Sequence, residues 1–154
     1  GQQWLEAGGT SGEYFNSRRI GRSVSSSDFD LDGDLDLAIV NQGNDAALLR
    51  NDRLDGHWLK VRLIGRHFNR DGTGAKVTVR QNETKLVQHL ADGTSYCSAH
   101  EPVLFFGLAD RESDCTVSVQ WSSGQIQQLD SVRIDQSLTI IETHSNAVVS
   151  SSRQ

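Results

Sequence analysis

The chain reads as all-β, with its strands closing into a sandwich or barrel. Helical periodicity is almost absent along its 154 residues. Short runs rich in Val, Ile, Leu and Thr recur instead, with apolar and polar residues alternating. Turn formers punctuate the runs: Asn51-Asp52, Asp55-Gly56, Asp71-Gly72, Gln81-Asn82-Glu83, Asp92-Gly93 and Ser123-Gly124. Many short strands so spaced imply a sandwich or barrel.

In chain order the expected strands are 22–28, 35–40, 46–50, 58–64, 76–80, 85–89, 103–107, 116–120, 125–129 and 137–142. The second, Leu35-Asp36-Leu37-Ala38-Ile39-Val40, alternates and stops at Asn41-Gln42-Gly43-Asn44-Asp45. In the fourth, Leu59, Val61 and Leu63 alternate with Lys60 and Arg62, which places one face on a core and the other in water. Val77 and Val79 are the inward pair of the fifth, and Val117, Val119 and Trp121 share a face of the eighth. The clearest local pairing is the hairpin 79–87, turning at Gln81-Asn82-Glu83. A boundary falls near Leu54-Asp55-Gly56-His57, and the polar, Ser-rich tail from Ser145 is expected to be disordered.

The strongest chemical signal lies between the first two strands. Asp28-Phe29-Asp30-Leu31-Asp32-Gly33-Asp34-Leu35-Asp36 places five carboxylates at alternating positions around one glycine. Such anions repel unless a cation sits among them, and an all-oxygen donor set suits Ca²⁺. Asp28, Asp30 and Asp32 would converge on the ion, Gly33 would supply the sharp turn, and Asp34 would offer its backbone carbonyl. Asp36 would close the shell. The twelfth position is Ile39, inside a strand, where an EF-hand needs a bidentate Glu and a helix. The loop therefore belongs between β-strands. The plain alternative is a solvated acidic turn.

Composition narrows the function classes. Net charge is −5, much of it in the loop, and no basic stripe suggests nucleic acid. No apolar stretch is long enough to span a membrane. The chain opens at Gly1 with no signal peptide, as expected of a mature or excised fragment. Cys97 and Cys115 form no C-x-x-C pair, and two thiols make a poor zinc site. In an extracellular protein, which also suits a calcium loop, they are candidates for a disulfide. Such a bridge would add about 3 kcal/mol. Two separate buried thiols are the alternative.

No enzyme is expected. The sequence has no G-x-S-x-G, H-E-x-x-H or Walker loop, and His57, His67, His89, His100 and His144 lack zinc-ligand spacing. His100-Glu101 near Cys97 hints at acid–base chemistry but reads better as a polar loop before Val103. Asp71-Gly72-Thr73-Gly74 has no helix after it to bind phosphate. Asn69, Arg70 and Asp71 are a structural turn or a possible ligand contact. Trp4, Trp58 and Trp121 would serve a sugar-binding face if exposed, though Trp58 and Trp121 sit in strands beside apolar partners, where packing is the better reading. Tyr14-Phe15 would cover a sheet edge or fill a domain seam.

The stretch from Ile20-Gly21-Arg22 through the acidic loop to Leu48-Leu49-Arg50-Asn51 resembles the last FG-GAP (VCBS-type) repeat of an integrin-α-like β-propeller. From His57 onward the chain resembles the ASPIC/UnbV domain of the cartilage acidic protein family and bacterial secreted relatives. Its matching pieces are His57-Trp58-Leu59-x-Val61-x-Leu63-x-Gly65, Asn69-Arg70-Asp71-Gly72-x-Gly74-Ala75-x-Val77, Leu104-x-Phe106-Gly107-Leu108 and Trp121-Ser122-Ser123-Gly124. Ser122 stands where that family usually has proline. The resemblance implies a partial blade over 1–55, an ASPIC/UnbV domain over 56–143 as an antiparallel sandwich or barrel, and a tail over 144–154. It implies calcium at Asp28, Asp30, Asp32, Asp34 and Asp36, and no reaction. The expected function is an extracellular, periplasmic or cell-surface calcium-binding module for adhesion or protein contact. Its partner would be a surface or matrix protein or glycan, and an exposed blade edge would allow oligomers. The alternative is a carbohydrate-binding module.

Overall fold

A computed structural model of the chain describes residues 8–52, 56–110 and 112–143. Ten strands succeed one another in the expected order: β1 (Gly21–Ser27), β2 (Asp36–Asn41), β3 (Ala47–Leu49), β4 (His57–Ile64), β5 (Lys76–Gln81), β6 (Thr84–His89), β7 (Val103–Ala109), β8 (Cys115–Gln120), β9 (Ile126–Val132) and β10 (Gln136–Ile141). The only helical pieces among the described residues are 3₁₀ turns at Gly8–Thr10 and Glu13–Asn16. Trp4, His144, Leu54, Asp55 and the Ser-rich tail lie outside the described residues.

The strands form three sheets, ordered β1-β2-β3, β10-β4-β7 and β6-β5-β8-β9. The last two enclose one core. Leu59, Val61 and Leu63 of β4, Leu104, Phe106 and Leu108 of β7, and Leu138 and Ile140 of β10 come from one side. Val77 and Val79 of β5, Val117 and Val119 of β8, and Leu129 and Val132 of β9 come from the other. These residues alternate along their strands, as two facing sheets require, except in β9, where a register shift sets Leu129 and Val132 three residues apart. The β5–β6 hairpin closes through Gln81↔Thr84, with Asn82 at φ 53°.

Three expectations are corrected. First, the sandwich is not wholly antiparallel: β10 runs parallel to β4, Gln136 opposite Leu59 through Ile141 opposite Ile64. The chain leaves β4 for β5 and β6, returns as β7 on one side of β4, leaves again for β8 and β9, and comes back as β10 on the other side, and such a crossover permits a parallel neighbour. Second, Lys60 is not in water. It lies on the outer face of β4, yet it is buried, because the β1–β2 loop covers that face. Third, Cys97 and Cys115 are both free thiols, so the expected bridge is not formed. Cys115 is 2% exposed and belongs to the core, whereas Cys97 stands exposed in a surface turn at φ 52°. Burial, with the nearby Asp114 charge, pushes the Cys115 thiol up to about 11, so it stays protonated and inert.

Candidate metal centre

β1 and β2 pair antiparallel with Ser27 opposite Asp36, so the acidic loop is the turn between them. Gly33 bends it at φ 101°, a conformation that favours glycine. A side chain there would also strike the indole of Trp58, against which the loop packs. Trp58 stacks in turn on Phe105, with ring centroids 5.7 Å apart and planes 13° from parallel.

Asp28, Asp30 and Asp36 converge. Each offers an oxygen within 4.8 Å of the other two. Oxygens that each lie about 2.3–2.6 Å from one Ca²⁺ are at most about 5 Å apart, so this spacing fits. Asp36 is buried and doubly anchored: Phe29 N–H donates to Oδ2 at 2.9 Å and Asn51 N–H to Oδ1 at 2.8 Å. Asp28 Oδ1 is buried and accepts no hydrogen bond. A buried anionic oxygen without a donor calls for a cation. Hard carboxylate donors at this spacing suit Ca²⁺ better than a soft metal.

Asp32 and Asp34 do not join that group. Asp32 Oδ1 instead accepts the Asp34 N–H at 3.1 Å, closing a local turn. Asp34 has both carboxylate oxygens buried without a donor. Its burial, followed by the charges of Asp32, Asp36, Asp30 and Asp28, pushes its carboxyl up to about 6. At the rim, Arg50 Nε lies 2.6 Å from Asp52 and 3.9 Å from Asp30.

A polar seam ties β1 to the sandwich. Ser95 and Ser98 hydroxyls both donate to Val24 O at 2.8 Å, Ser26 N–H donates to His100 Nδ1 at 3.1 Å, and Ser27 Oγ donates to Glu101 Oε2 at 2.8 Å. Glu101 also receives Lys60 at 3.0 Å and Arg62 at 2.7 Å, and Lys60 reaches Asp28 Oδ2 at 3.8 Å. Burial raises the Glu101 carboxyl, but Ser27, Lys60 and Arg62 outweigh it and hold the carboxyl below its ordinary value. Sequence reasoning placed Lys60 in water and read Glu101 as part of a polar loop, and it missed their pairing, since the partners are far apart along the chain. Ser26 Oγ also lies 2.9 Å from His100 Nδ1, so both His100 and Glu101 are engaged by β1 hydroxyls in this seam.

The other candidates resolve locally. Asn69 Oδ1 accepts the Asp71 N–H, and Gly65 N–H donates to Arg70 O, so Asn69, Arg70 and Asp71 form a braced turn. The buried Glu142 holds the start of that loop through the N–H groups of Arg66 at 2.8 Å and His67 at 3.1 Å, and accepts Ser123 Oγ at 2.7 Å. No sequence motif marks that role. His57 Nδ1 lies 2.7 Å from Asp135 Oδ2, and the other oxygen of Asp135 accepts the Trp58 N–H at 3.1 Å. Trp121 is 3% exposed and donates its indole N–H to Gln127, so no sugar ring can reach it. Tyr14 packs edge-on against Phe15 and donates its hydroxyl to Asn41 at the end of β2.

Compared with protein families, residues 65–147 match the family described as ASPIC and UnbV, which is more than half of the chain. No curated protein matches the sequence.

Proposed function

The chain belongs to the ASPIC and UnbV family, and from that premise we propose that it is an extracellular, non-catalytic interaction module whose first sheet is fastened by a structural Ca²⁺. Asp28, Asp30 and Asp36 hold the ion, and Asp32 and the backbone of Asp34 shape the loop around it. On this reading β1–β3 is an incomplete FG-GAP-type propeller blade within residues 1–55, and the family domain begins at 56, ahead of the matched span. That earlier start is supported by β4, which pairs with both β7 and β10. β3 ends its sheet, and its outer edge is where a partner strand or a second copy would add.

The observation that carries this reading is Asp28 Oδ1, buried and without a donor inside a group of three carboxylates. When bound, the ion supplies charge neutralisation and a rigid turn, and no reaction is assigned to it. The test is thermal unfolding of the chain in EDTA, Mg²⁺ and Ca²⁺. A ligand that binds only the folded state stabilises it by about 2.7 kcal/mol at a hundredfold excess over Kd. A rise in Tm with Ca²⁺, small or absent with Mg²⁺, is expected. A Tm identical in all three solutions overturns the calcium assignment.

A further inference from the structure

Lys60 sits on the outer face of β4, yet its side chain is only 8% exposed. Its ammonium stands between two carboxylates, Glu101 at 3.0 Å and Asp28 at 3.8 Å. Glu101 does not depend on Lys60 alone, because Arg62 and Ser27 also hold it. Asp28 turns Oδ2 toward Lys60 and leaves Oδ1 without a donor. The Asp28 side chain is 2% exposed, so water does little to solvate it. Ion-free, the acidic group therefore has two cations beside it: the exposed Arg50, 3.9 Å from Asp30 at the rim, and the buried Lys60, supplied by the sandwich beneath it.

Resting on the calcium reading above, we infer that Lys60 sets the affinity of the metal site: it neutralises Asp28 while the ion is absent, opposes the ion's entry, and is left to Glu101 when the ion binds. An ion about 2.4 Å from an Asp28 oxygen lies within about 8 Å of the ammonium, no farther than a Debye length at physiological salt. Repulsion between a dication and a monocation at that range is felt even with water's dielectric constant, and weakens binding about fivefold to tenfold. Glu101 makes the exchange possible. It gives Lys60 a second carboxylate to rest on, already fixed by Arg62, so no buried charge is stranded when calcium takes Asp28. Arg62 carries the same charge, but it is half-exposed and touches Glu101, not the acidic group.

The experiment is calorimetric titration of the whole chain with CaCl₂, on the unaltered protein and on Lys60→Met, Arg62→Met and Glu101→Gln. Lys60→Met is expected to lower Kd about fivefold to tenfold, and Arg62→Met to change it about twofold or less. Glu101→Gln leaves Lys60 with Asp28 alone and is expected to raise Kd. Should Lys60→Met fail to fold, Glu101→Gln carries the test, and an unchanged or lower Kd there overturns the inference. Equal shifts in Lys60→Met and Arg62→Met also overturn it, since any nearby positive charge would then do. If the unaltered chain binds and Lys60→Met binds with the same Kd, this inference alone falls. If the unaltered chain gives no binding heat, the calcium reading falls and takes the inference with it.

Discussion

The β1–β3 sheet and the sandwich beside it are held by different forces. No residue of β1, β2 or β3 belongs to the described apolar core, which is drawn mainly from β4, β5 and β7–β10. Val24, Val40 and Leu48 of the small sheet are exposed. The sandwich buries its own apolar faces, as a domain with one core must. The small sheet has hydrogen bonds to residues 95–101, the loop against Trp58, and carboxylates in need of a cation. A sheet of three short strands is marginal without a covered face. Its order therefore rests on polar contacts and on charge balance, which solution conditions can change.

The largest expected effect comes from breaking the self-sufficient half. Phe106 is fully buried at the middle of β7. Phe106→Ala removes the ring and leaves a cavity, at a cost of about 3–5 kcal/mol. Urea unfolding with and without Ca²⁺ checks this. The loss should be similar in both, because no ion refills an apolar cavity. Full rescue by Ca²⁺ would mean that the two halves do not differ in the way described.

A smaller, local effect is expected at the contact between them. Gly33→Ala would place a methyl group on the Trp58 indole at a backbone angle that L side chains avoid. The expected cost is about 1–3 kcal/mol, confined to the loop and β1–β2. Amide exchange should quicken over residues 21–41 and stay unchanged over β8. Exchange that is unchanged over 21–41 would show that the loop does not depend on this contact.

The two halves also differ in how far the sequence discloses them. Alternation at Leu59, Val61, Leu63, Val77 and Val79 located the core correctly, because a strand with one buried face must write that face at period two. The same pattern misplaced Lys60, since period two distinguishes two faces but does not say what lies on the second. The spacing, a local property, grouped Asp28, Asp30, Asp32, Asp34 and Asp36, and the structure brings Asp28, Asp30 and Asp36 of these within reach of one another. The roles of Glu101 and Glu142 were not legible, because their partners lie far off in sequence: Ser27 and Lys60 for one, Arg66 and Ser123 for the other. The Cys97–Cys115 pairing failed for a related reason. Two cysteines in a chain do not reveal that one faces the core and the other the solvent.

The smallest effect is also one to which the two halves should respond differently. Without calcium, burial and the neighbouring carboxylates push the Asp34 carboxyl up from 3.8 to about 6. A folded-state value above the unfolded one means that the folded loop prefers the proton. Its contribution is complete below the unfolded value and is lost as pH rises through about 6. Glu142 is displaced the other way. Burial raises its carboxyl, but the N–H groups of Arg66 and His67 and the Ser123 hydroxyl outweigh it. Its contribution is complete above the unfolded value of 4.5 and is lost as pH falls through the lower folded value. In EDTA, lowering the pH from about 7 to about 5 should therefore tighten the loop by about 1 kcal/mol, allowing for solvent screening, and leave the sandwich unmoved. Amide exchange corrected for its intrinsic pH dependence reads both regions in one sample. Asp34→Asn should abolish the tightening over 28–36. If the variant keeps it, the charge imbalance of the loop resides in another carboxylate. Added Ca²⁺ should reverse the loop's response, because the bound ion favours ionised carboxylates and protons then compete with it.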